Sequence, residues 1–176
     1  MMDVSPHREV AMSAAATCDI AVGSIDETLD AVLAPTHDAW IEEARGLLAA
    51  AAAPGAPEWE RWPVARWLNE EFLRRFLAER ALLNELRPHL TVREDEMIGV
   101  GEDRIAQVRL VLDRLARRRG SAAEFTALAQ GFMQALEMWC AEIELAARRI
   151  HCRYLSRDAR RLLQDVEGAT AAPLHL

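Results

Sequence analysis

Phe125–Ile150 read FTALAQGFMQALEMWCAEIELAARRI, and the fold turns on this stretch. Unrolled at about 100° per residue, Phe125, Leu128, Phe132, Leu136, Trp139, Ile143, Ala146 and Ile150 fall on one continuous apolar face. No period-two alternation competes with it, so the segment reads as an amphipathic helix and not a strand. Ser121-Ala-Ala-Glu124 just ahead is a capping box that marks the helix start, and the pattern carries on to about Tyr154. Glu142 lies at the edge of the apolar face, beside a solvated side that holds Glu144 and Arg149.

The same spacing recurs on both sides. Arg117-Arg118-Arg119-Gly120 closes a preceding helix of about 102–119, basic residues and then Gly being what a helix C-terminus favours. Its stripe is Ile105, Val108, Leu112 and Leu115, with Arg104 at the N-terminal end. Thr91-Val-Arg-Glu94 is a second capping box, although Gly99 and Gly101 leave 91–101 open. A longer helix, about 63–87, starts at a first-turn Pro63 and is stopped by Pro88. Leu68, Phe72, Phe76, Leu83 and Leu86 line its core face, and Glu79 falls inside that face.

Before the break at Pro54-Gly55-Ala56-Pro57, the spacing predicts a helix over about 36–53 with Trp40, Ile41, Ala44 and Leu48 inward and His37 near the stripe centre. Ser24-Ile-Asp-Glu27 opens a short helix that Pro35 interrupts, and Ser156 starts another over 157–166. The expected organisation is a loose tail over 1–23, a helical domain over 24–167 and a second tail over 168–176. Four long helices with mostly short links predict an all-α fold, an antiparallel four-helix bundle with a short extra C-terminal helix.

A chain of 176 residues with 51% hydrophobic side chains can build a core without disulfide or metal. Net charge is −7 and every one of the 21 basic residues is Arg, which argues against a nucleic-acid binder or a polybasic membrane protein. Cys18, Cys140 and Cys152 are too few for a disulfide framework. On one helix Cys140 and Cys152 would stand about 18 Å apart, so they read as inert thiols. The N-terminus lacks a basic start followed by a long apolar run, and nothing approaches a membrane span, so a cytoplasmic location is expected.

Inside the apolar stripes the polar residues are His37 and Glu79, with Glu142 and Arg104 at the margins. Each has an ordinary explanation: a hydrogen-bonded core histidine, a carboxylate paired with an Arg, a solvated face. An isolated buried carboxylate must find a partner or take up a proton. His37 lies about 17 residues before its helix ends and Glu79 about 16 after its own begins, so on antiparallel neighbours they stand level within a turn. The two are therefore expected to meet.

The order of these features resembles the hemerythrin-like, or HHE cation-binding, domains. HDAWIEEARGLL from His37 is similar to that family's first His-bearing helix, and FLRRFLAERALLNELRPHL from Phe72 to its second. IAQVRLVLDRL from Ile105 looks like the third helix, and the Phe125–Ile150 stretch with YLSRDARRLL beyond it like the fourth and its tail. The resemblance covers about residues 25–166 and implies a helical bundle around a di-iron centre held by several His and two carboxylates. Only His37 stands where a family His would. Ala78 or Glu79, Leu82 or Leu83, Ile105, Met138 or Trp139, and Glu142 or Ile143 occupy the other ligand positions. Iron pairs in helical bundles need about six inward ligands, so the family's metal chemistry is not expected here, and no cofactor is.

Losing two irons and their imidazoles frees volume. The leading expectation is a partly apolar central pocket that binds a small apolar molecule, lined by Trp40, Ile41, Phe72, Phe76, Leu83, Arg104, Ile105, Met138, Trp139 and Glu142. There His37 and Glu79 would be the catalytic pair for cofactor-independent acid–base chemistry of isomerase, cyclase or dehydratase type. Two alternatives stand beside it. One is a mononuclear iron or manganese site of His37, Glu79 and Glu142, for oxygen or redox sensing. The other is a structural or regulatory protein without chemistry, whose Leu73, Leu77 and Trp67 would serve a homodimer or another partner.

Overall fold

The computed structural model describes residues 27–117 and 120–171. The expected tail at 1–23 and most of the Ser24 capping box lie outside the described residues. The fold is all-α. Among the described residues six α-helices follow one another: α1 (Leu29–Ala52), α2 (Arg61–Asn69), α3 (Glu71–Leu86), α4 (Val92–Arg117), α5 (Ala122–Ala147) and α6 (Arg157–Ala171). Among the described residues there is no strand, only one isolated antiparallel bridge between Thr28 and His151. No helix is long and apolar enough to cross a membrane among the residues described.

The stretch 125–150 is the middle of the molecule. α5 packs along α1 on one side and α4 on the other, while α2 lies against α4 and α3 against α6. Contacts fix the directions. Asp30 pairs with Arg148, His37 meets Glu144 and Arg45 reaches Glu137, so α1 and α5 run antiparallel. Glu94 pairs with Arg149, and Arg104 approaches Met138, so α4 opposes α5 in the same way. The apolar stripes close into one core. A chain of aromatic rings runs through it: Phe72 stands 5.3 Å from Trp40, 5.6 Å from Trp67, 5.2 Å from Phe132 and 5.5 Å from Phe76, which lies 5.2 Å from Trp139.

Several boundaries differ from expectation, each for a local reason. α1 begins at Leu29 and continues through Pro35, because Leu29, Leu33 and His37 are buried in register on both sides of the proline. Tertiary burial outweighs the lost backbone bond. The expected second helix is two helices that part at Glu70, where φ is −105° and ψ −67°. Asn69 is the cause. Its side-chain amide donates to the Ala65 carbonyl at 2.6 Å and to Asp113 at 2.5 Å, competing with the helix's own ladder. α4 starts at Val92, well before the 102–119 implied, directly after the Thr91 box: Thr91 N–H donates to Glu94 at 2.8 Å and Glu94 N–H to the Thr91 hydroxyl at 3.3 Å.

α5 stops at Ala147 and not near Tyr154. Leu29 N–H takes the Ile150 carbonyl at 2.8 Å and Cys152 N–H the Glu27 carbonyl at 3.1 Å, which holds the chain extended. α6 reaches Ala171, so 168–171 are helix and not tail. Arg74 and Arg75 both donate to the Ala169 carbonyl, at 2.9 and 3.0 Å. Arg75 is buried and also forms an ion pair with Glu43 at 2.6 Å, tying α3 to α1 as well as α6.

Candidate functional site

His37 is fully buried on α1, with 0% of its surface exposed. Its Nε2 lies 2.7 Å from Oε1 of Glu79 on α3, which is the pairing the sequence predicts. Its Nδ1 lies 2.6 Å from Oε1 of Glu144 on α5. The second oxygen of Glu79 accepts the indole N–H of Trp139, also on α5, at 2.6 Å. One imidazole, two carboxylates and one indole thus fasten α1, α3 and α5 at a single level.

A ring flanked by two acceptor-only, ionised carboxylates would donate from both nitrogens, as an imidazolium. Burial by itself lowers the pKa of His37, and it is the largest single influence. The charge of Glu79, its hydrogen bond and then Glu144 outweigh burial together, and the net pKa lies above the ordinary 6.5. Proton and partners hold each other in place.

Glu144 is the residue sequence reasoning misplaced. The sequence pattern puts it on a solvated face, yet its side chain is only 24% exposed and its carboxylate is turned onto His37. The sequence holds one signal that a single-stripe reading passes over: Cys140 and Ala147, one turn before and after it, are apolar, and both are buried, so α5 buries a second face. Glu142 faces the other way. Its Oε2 would lie 2.6 Å from a Cβ placed on Gly101 of α4, and it has no hydrogen-bond partner. Burial raises its pKa, against the pull of Arg104.

The expected pocket lining divides in two. Trp40, Phe72, Phe76, Leu83, Ile105 and Trp139 are buried in one core, and Ile41 is half-buried against it. Arg104 and Met138 are corrections: both are exposed, and they meet at the surface with Nη1 3.6 Å from Sδ. On a helix flanked by two neighbours, position 138 points between them and outward. Trp67 is likewise a correction, being buried where a partner-binding face was expected; Leu77 on that face is 49% exposed. Burial pushes the Cys140 thiol well above 9.0, with Glu79, Glu144 and Asp38 adding to it, as suits an inert thiol.

The donor set does not fit a di-iron centre. Both His37 nitrogens and both Glu79 oxygens are already engaged, with the two carboxylates on opposite edges of the ring. Among the described residues no group of three or more His, Cys, Asp or Glu side chains is arranged to hold a metal ion. A cavity of about 500 Å³ lies elsewhere, between the end of α3 and the α5–α6 connection. Comparison with family models, curated proteins and solved structures finds no match for this chain.

Proposed function

We propose that this chain is a hemerythrin-like four-helix bundle in which a Glu79–His37–Glu144 ion triad takes the place of a metal centre, and that it works by binding and not by turnover in its core. One observation carries this reading: every nitrogen of His37 and every oxygen of Glu79 is already paired, at 0% and 3% side-chain exposure. A general base must present a lone pair to its substrate, and a metal ligand must present one to the ion. His37 has none to present. Its role is to specify which faces of α1, α3 and α5 meet, as buried polar contacts can do when every partner is satisfied.

A second reading, acid–base chemistry relayed to a substrate through Glu144, draws on that residue's partial exposure of 24%. Heteronuclear NMR of the His37 ring decides between them. The binding reading expects two slowly exchanging ring N–H protons at neutral pH, unmoved by iron, manganese or zinc. A ring that titrates near 6.5, carries one proton, or shifts on adding metal overturns it.

A further inference from the structure

The cavity of about 500 Å³ has a floor of Leu86, Ile150, Leu155 and Ala159 and a rim bearing Arg149, His89 and Glu85. Its size falls within the roughly 300–1,000 Å³ of small-molecule sites, and an apolar floor with few polar groups is their usual anatomy. The floor residues are all buried, at 3%, 8%, 6% and 2% exposure, so the cavity is cut into the core's edge and is not a fold in a loop. Its walls come from the end of α3 and from the segment beyond α5, where helix gives way to the short 3-10 turn Cys152–Tyr154 and then the start of α6.

We propose that this cavity binds a small amphipathic monocarboxylate, with an aliphatic tail on the floor and its head group on Arg149. The Arg149 side chain is 73% exposed and reaches Glu94 only at 3.4 Å, so its guanidinium has donors left for an incoming anion. His89, in the turn that follows α3, also lines the cavity and carries a ring N–H to donate. Ser156 Oγ accepts from Ala159 N–H at 3.0 Å and keeps its own hydrogen to donate. Glu85 is the single carboxylate in the lining, and it limits the site to one negative charge. No lining residue belongs to the ion triad, so this proposal and the binding reading of the core fail separately.

Titration of the whole chain with decanoate, decanol and decylammonium tests it, read by amide NMR shifts. Decanoate is expected to saturate and to move the amides of Arg149–Ala159, with decanol weaker and decylammonium weakest. Arg149→Ala should weaken decanoate about tenfold, the usual worth of one charge-assisted hydrogen bond. Glu85→Gln should strengthen it about threefold by removing a like charge, and neither change should alter decanol. Both residues are exposed, so folding is not at stake. Equal affinity for decanoate and decanol, shifts confined to other regions, or no saturation at millimolar concentration overturns the proposal.

Discussion

At the scale of single residues, the two carboxylates on His37 differ in depth. Glu79 is 3% exposed and Glu144 24%, although both lie within 2.7 Å of the ring. Breaking a fully buried pair leaves an uncompensated charge and costs about 3–5 kcal/mol, whereas a pair open to water loses about 1 kcal/mol. Glu79→Gln should therefore destabilise the chain several times more than Glu144→Gln in urea unfolding. Equal losses would mean that the triad does not hold the core. Glutamine also keeps only one acceptor oxygen for the two donors Glu79 serves, so either the His37 ring or the Trp139 indole is left facing an amide NH2. How much of this centre was legible follows from burial alone. His37 and Glu79 sit at the centres of stripes, so helical spacing and a depth estimate suffice to pair them. Glu144 belongs to a second buried face of α5, and a helix read as having one apolar stripe cannot reveal it.

At the scale of elements, the capping boxes at Thr91 and Ser121 were legible because their residues sit close in sequence; the break at Asn69 was not, because its partner Asp113 is on another helix. α4 shows what local propensity is worth. It runs as helix through both Gly99 and Gly101, and the burial of Ile98 and Ile105 holds it there. Glycine inside a helix costs about 0.5–1 kcal/mol relative to alanine. A Cβ at Gly99 meets nothing within 4 Å, so Gly99→Ala should gain that amount in chemical denaturation. At Gly101 the new Cβ would stand 2.6 Å from Glu142 Oε2 and push the carboxylate toward water. Gly101→Ala should gain less than Gly99→Ala. The reverse order would show that relieving Glu142 of its burial outweighs the crowding. Pro35 offers the matching test on α1: it is exposed and has no N–H for the ladder, so Pro35→Ala should stabilise by about 1 kcal/mol or more.

At the scale of the molecule, the trapped proton on His37 ties global stability to pH. The pKa of His37 lies above 6.5 in the folded chain, burial opposing and the two carboxylates prevailing. The folded state then binds this proton more tightly than the unfolded state, so stability falls as pH rises between the two values. The contribution is complete below about 6.5 and disappears as pH climbs through the higher folded value, at a limiting slope of about 1.4 kcal/mol per pH unit. Above 9 a second group acts in the same direction, since the buried Cys140 thiol keeps its proton in the folded chain after it has lost it in the unfolded one. The interval from 6.5 to 9 therefore reports on the triad. Thermal unfolding across it should show a falling midpoint for the wild-type chain and a flatter profile for His37→Gln, which starts from lower stability. Glu144→Gln, the milder variant, should begin its decline at the same pH but level off at lower pH, because one of the two carboxylates that raise the folded pKa is gone. Parallel profiles for all three chains would place the pH dependence outside the triad and leave His37 a neutral core residue.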